Sequence, residues 1–223
     1  RGGVEPGAAL PAQDADAIVV CGFIGCDLKP YNPLIDALPR MMRVAADGVG
    51  DWVGGILRQA VAESRHRRPG SDALLERASE MVFVDAARRY LDGLPEQASG
   101  WLAGLRDRHV GRALSALHAD PAAQWTLDLL SRRAGLSRSA LHERFSEFVG
   151  LAPMQYLARW RMQVAAARLR EGRDTIATIA LDSGYESEAA FSRAFKRLCG
   201  APPSAWRRRE GSSSRGGDGQ QAR

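Results

Sequence analysis

The sequence predicts a mainly α-helical chain that ends in two copies of a helix-turn-helix unit, preceded by a helical connector and a short strand-forming start. Three observations predict it. From Trp125 onward the sequence repeats itself with a period of 50, and a repeat of that kind fixes an architecture. Upstream, glycine and proline divide apolar-periodic segments at helix-length intervals. Only residues 17–24 (AIVVCGFI) form the apolar, β-branched run of a convincing strand.

The elements follow in order. Residues 1–16 are rich in Gly, Ala and Pro without any period and read as an irregular start. Because the first residue is Arg1 and no basic segment leads into an apolar run, the sequence reads as a piece of a longer chain. After the strand, Pro30, Pro33 and Pro39 predict an irregular connector over 27–40. A helix is expected at 51–66, closed by Pro69-Gly70, and Ser71 stands as the N-cap of a second helix over 71–91. That helix places Leu74, Ala78, Met81 and Val82 on one face, which needs a partner surface. Gly93 and Pro95 end it. Segment 100–118 is helical with a break near Gly111, and Asp120-Pro121 marks the start of a second domain.

The repeat is positional. At an offset of 50, Leu141 pairs with Phe191, Phe145 with Phe195, Phe148 with Leu198, Gly150 with Gly200, Pro153 with Pro203 and Tyr156 with Trp206. At an offset of 49, Leu127 pairs with Ile176, Leu130 with Ile179, Ala134 with Ser183, Gly135 with Gly184 and Leu136 with Tyr185, so the second turn is one residue longer. Each unit reads as a short helix, a glycine turn and a longer helix: 125–134 and 137–149, then 175–183 and 187–199. Ser137 and Ser187 are the expected N-caps of the longer helices. Apolar residues at spacings of 4 and 3 bury one face of each longer helix, leaving the polar face outward, as in the unit whose second helix enters a major groove. Between the units, a helix over 153–171 would be about 28 Å long, close to the roughly 34 Å between successive major grooves on one face of a duplex. It has the length of a strut.

Charge follows the repeat. Residues 1–124 carry 14 basic and 16 acidic side chains, whereas 125–210 carry 15 basic and 9 acidic, so the formal +5 of the chain belongs to the repeated segment. Only Lys29 and Lys196 are lysines; arginine supplies planar, bidentate donors suited to phosphates and base edges. Membrane spanning is excluded, since acidic or basic residues interrupt every apolar run well short of about 18 residues. An apolar share of 45% excludes disorder of the whole chain.

Residues 125–209 resemble the DNA-binding domain of the AraC/XylS-type transcription regulators, through AGLSRSALHERFSEFVGLAPMQYLARWRM in the first half and IATIALDSGYESEAAFSRAFKRLCGAPPSAWR in the second. The resemblance implies a seven-helix domain over 121–210 that inserts the helices 137–149 and 187–199 into adjacent major-groove segments of a promoter, whether to activate or to repress. Base-facing positions then fall on Ser139, His142 and Glu143 in the first unit and on Glu188, Ala189, Ala190 and Arg193 in the second. Backbone-contacting positions fall on Arg138, Arg144, Ser187, Lys196 and Arg197. Arg193 suits the O6 and N7 of guanine. Glu143 and Glu188 either accept from a cytosine amino group or remain a solvated face, paired with a neighbouring arginine. His142 reads as a surface or phosphate contact, and Trp125 and Trp160 as core.

In the same family an N-terminal β-barrel of cupin type often binds an effector or dimerises. Residues 1–48 resemble the end of such a barrel, 49–120 a helical connector and dimerisation region, and 211–223 a disordered tail. The implied partners are double-stranded DNA, RNA polymerase, a second copy, and a small-molecule or redox effector acting through the barrel. The implied compartment is the cytoplasm. No cofactor is called for. Cys21 and Cys26 form either a redox or metal pair, or small buried hydrophobes, and two ligands fall short of a zinc site. An enzymatic reading, a zinc-thiolate methyl-transfer module fused to this kind of domain, would require four cysteines where two are available. No Ser/His/Asp set, phosphate loop or HExxH motif supports other catalysis. The remaining alternative is a helical protein-interaction module indifferent to DNA.

Overall fold

The computed structural model describes residues 30–42, 52–95 and 97–213, with side chains up to 209. The expected strand at 17–24, Cys21, Cys26 and most of the expected barrel remnant lie outside these residues. Among the described residues the chain is helical, with no strand: α1 (Pro33–Ala37), α2 (Trp52–Arg65), α3 (Ser71–Asp92), α4 (Trp101–Arg106), α5 (Arg108–Ala119), α6 (Leu127–Ala134), α7 (Arg138–Val149), α8 (Pro153–Glu171), α9 (Ile176–Asp182), α10 (Glu188–Cys199) and α11 (Pro203–Ser213). None of these helices is long and apolar enough to cross a membrane. The chain divides into two compact units, one of Arg1–Cys26 with Pro39–Pro95 and one of Asp27–Leu38 with Glu96–Arg223.

In the first unit α2 packs on α3. Ser71 is not the N-cap of α3. Gly70, at φ +92°, takes that place, and the Ser71 hydroxyl donates instead to the buried Glu63 carboxylate (2.5 Å) while accepting from the Arg68 N–H (2.7 Å). A desolvated carboxylate needs donors, and that need outweighs capping. The Arg68 guanidinium supplies the second donor at 2.7 Å, and the two hydrogen bonds hold the Glu63 carboxyl below its usual range. The buried apolar residue of α3 is Leu75, whereas Leu74 and Met81 of the expected apolar face are exposed.

The second unit holds the repeat, built around two apolar cores strung along α8. The first core takes Val110, Ala113, Leu114 and Leu117 from α5, Leu130 and Ala134 from α6, Leu141 and Phe145 from α7, and Tyr156 and Leu157 from α8. The second takes Met162, Ala165, Ala166 and Leu169 from α8, Ile179 and Ala180 from α9, Phe191 and Phe195 from α10, and Trp206 from α11. Repeat partners occupy equivalent places, as with Leu130 and Ile179, Leu141 and Phe191, or Phe145 and Phe195. Because α5 contributes four residues to the first core, the boundary expected at Asp120-Pro121 lies inside a compact unit. Six described helices, α6 to α11, begin within the expected bounds 121–210, and α5, which packs with them, lies outside those bounds.

The break in 100–118 falls at Asp107, where the backbone turns extended and the carboxylate accepts from the N–H groups of His109 (3.0 Å) and Val110 (2.8 Å) to cap α5. Gly111 lies within α5; a Cβ there would stand 2.6 Å from the Leu105 carbonyl oxygen, so the glycine admits the end of α4 rather than breaking a helix. The segment 27–40 is not wholly irregular either. Asn32 caps α1 by accepting from the Ile35 N–H, and Pro33 opens it at a position where its missing N–H costs nothing. Tyr31 just before it donates its N–H to Gln163 (3.0 Å) and sets its ring edge-on to Tyr156 at 6.1 Å.

Candidate nucleic-acid interface

Matched caps build the two units. Thr126 accepts from the Leu129 N–H and Thr175 from the Thr178 N–H, both at 3.1 Å. Gly135 and Gly184 leave the first helices at φ +75° and +77°, a conformation open to glycine at no steric cost. Ser137 and Ser187 then start α7 and α10, each accepting at 3.2 Å from the N–H three residues on, Ala140 and Ala190. Gly150 and Gly200 close the two helices in the left-handed region.

Burial of Leu141 and Phe145 turns Ser139, His142 and Glu143 outward on α7, and all three are exposed. On α10, burial of Phe191, Ala194 and Phe195 leaves Glu188, Ala189 and Arg193 exposed and Ala190 half-buried. The cations Arg138, Lys196 and Arg197 are exposed beside them, as is Ser187, whose hydroxyl is engaged in its cap. Among the described residues Glu143 and Glu188 make no salt bridge; Glu188 occupies the first turn of α10, where a carboxylate is favoured by the helix dipole.

Arg144 differs from the other expected backbone contacts. Its Nη2 and Nε donate to one oxygen of Asp107 at 2.6 and 3.0 Å, and its guanidinium lies 5.7 Å from the Phe148 ring centroid. Burial works against the Asp107 charge, but the hydrogen bonds from Arg144, Val110 and His109 outweigh it and keep the carboxyl below its usual range. Arg144 therefore ties α7 to the cap of α5. No signal within either helix pairs these two residues, which stand 37 positions apart.

Arg161 is a second residue that no sequence signal marks. It occupies the row Leu157, Arg161, Ala165 on α8, at the spacing of one helix face, between two buried apolar residues. Its Nε donates to the Pro121 carbonyl oxygen (2.7 Å) and its Nη2 to that of Ala123 (2.8 Å), while its guanidinium lies 5.9 Å from the Tyr185 ring centroid. Nearby, Arg168 pairs with Asp174 (2.7 Å) and Asp182 (2.8 Å), fixing α9 to α8.

Trp125 and Trp160 pack against the first core, as expected. So does His118, stacked on Trp160 at 4.2 Å; its Nε2 lies 2.7 Å from the Tyr156 hydroxyl, which also accepts from Trp101 Nε1 at 3.0 Å. Cys199 sits half-buried at the edge of the second core, and burial pushes its thiol up to about 12, far from a reactive thiolate. Among the described residues no group of three or more His, Cys, Asp or Glu side chains is arranged to hold a metal ion.

Comparison with known proteins gives two matches along the chain: a helix-turn-helix domain family over residues 130–209 and a cupin family over residues 2–92. A relative from Streptomyces lividans, bearing the name AraC-like transcription regulator, is 40% identical over 205 residues, covering 92% of this chain and 67% of its own. One of the same name from Streptomyces antibioticus is 37% identical, covering 92% and 68%. The crystal structure of the DNA-binding domain of AdpA, described as a global transcriptional factor, in complex with a target DNA is 24% identical with a TM-score of 0.45, covering 51% of this chain and 99% of that one.

Proposed function

The chain belongs to the AraC-like transcription regulators, DNA-binding regulators rather than enzymes, and from that premise we propose that it recognises a specific promoter sequence through α7 and α10 in two adjacent major-groove segments. The observation that carries this reading is the pair of matched caps and cores, which turn Ser139, His142 and Glu143 on one helix and Glu188, Ala189 and Arg193 on the other toward solvent. Arg193 offers a fork to a guanine edge, with Ala190 beside it as a small apolar contact. Arg138, Ser187, Lys196 and Arg197 supply the sequence-independent phosphate contacts. Arg144 serves the interface indirectly, by holding α7.

Such a protein acts on cytoplasmic DNA and passes its signal to RNA polymerase. The cupin match supports an effector-sensing or dimerising role for residues 2–92, and the chain spans about two thirds of the length of its relatives. Cys21 and Cys26 fall within that match.

Duplex binding measured against salt tests the reading. Log affinity should fall linearly with log salt, with a slope of about 0.9 per phosphate neutralised. A site selected from random duplexes should retain its preference over scrambled DNA at every salt concentration. A flat salt profile, or equal affinity for selected and scrambled sites, would contradict the proposal.

A further inference from the structure

We propose that Arg161 is a positioning residue that fixes the separation of the two recognition helices and so selects the spacing between the two half-sites they read. The inference rests on the DNA-binding reading and adds to it a determinant that touches no base.

No buried residue is shared between the two cores; α8 runs through both, and Arg161 stands where the first gives way to the second, between Leu157 and Met162. Its two donors hold the α5–α6 loop that leads into the first repeat at the carbonyls of Pro121 and Ala123, and its other side faces Tyr185 in the turn of the second repeat. The two backbones meet here as well. A Cβ on Gly184 would stand 2.5 Å from the Ala122 carbonyl oxygen and 2.7 Å from Arg161 Nη2, so the glycine is set by close approach as well as by its φ of +77°. The guanidinium is half-buried and desolvation lowers its pKa, so losing either carbonyl would leave a charged donor short of a partner. Rotation of one repeat against the other about α8 has to part Tyr185 from the guanidinium and Gly184 from the Ala122 carbonyl that the fork holds in place. Lysine, a single-point donor, cannot bridge both carbonyls in the same geometry.

The test uses the full chain and a duplex selected by it, together with the same duplex carrying one base pair inserted or removed between the two protected segments. The unaltered protein should discriminate strongly against the changed spacing. Arg161→Met and Arg161→Lys should each reduce that discrimination by about tenfold, the scale of coupling within a shared hydrogen-bond network, with base preferences inside each segment unchanged. An undiminished spacing penalty in both variants overturns the inference.

A second readout does not depend on DNA. Spin labels carried on unnatural side chains at positions 142 and 193 should give one narrow distance distribution in the unaltered protein and a broadened one in Arg161→Lys or Arg161→Met. Equal widths overturn the clamp even where DNA binding holds. Broadening, with no sequence preference in the unlabelled chain, overturns the DNA reading instead. Should Arg161→Met fail to fold, Arg161→Lys, which keeps the charge, carries both measurements.

Discussion

At the scale of single residues, the proposed interface would separate groups that can discriminate bases from groups that hold the helices in place. Arg193→Ala should relax sequence preference at one position by about 1–3 kcal/mol, whereas Lys196→Ala should weaken specific and random duplexes alike and reduce the salt slope by about one phosphate. Selection experiments on both variants check this, and equal losses on all sequences for both would contradict the assignment. His118 makes a separate prediction. Burial lowers its pKa, so the folded state holds it neutral, and the unfolded chain takes up a proton first as pH falls. Stability should be full above the ordinary histidine pKa near 6.5 and decline as pH drops below it. In His118→Phe the part of that slope that sets in below the ordinary histidine pKa should disappear from denaturant titrations. The outward residues were legible in the sequence because the 4-and-3 spacing of Leu141, Phe145 and Phe148, and of Phe191, Phe195 and Leu198, fixes which face of each helix is buried. Arg144, Ser71 and Arg161 were not, because each answers to a partner reached only through the tertiary fold: Asp107, Glu63, and the carbonyls of Pro121 and Ala123.

At the scale of elements, the two units are near copies in their end chemistry. Ser137 and Ser187 make the same capping bond at the same 3.2 Å, so Ser137→Ala and Ser187→Ala should each cost about 1 kcal/mol of stability, measured by denaturant unfolding. A negligible change in either would mean that core packing alone sets where that helix starts. Helix starts and stops in the repeated segment could be read from caps and glycines, and α8 runs from Pro153 to Glu171 as its sequence predicts. The connector was read less well. Three prolines hid α1, although Asn32-Pro33 is itself a start signal. Gly111 gave the appearance of a break because close approach and helix termination both call for glycine.

At the scale of the whole molecule, the charge of +5 gathers in the unit that carries the repeat, and that unit holds both apolar cores described above. Charge supports docking on a polyanion, and the proposed reading of sequence falls to α7 and α10, where Glu143 and Glu188 stand exposed among the cations. The measurement that tests this most directly is groove-specific chemical protection of a duplex selected by the full chain. The account predicts two protected major-groove segments on one face of the duplex, centred about 34 Å apart, one assigned to α7 by Glu143→Ala and the other to α10 by Arg193→Ala. A single protected segment, or protection confined to phosphates with no base in either groove, would contradict it.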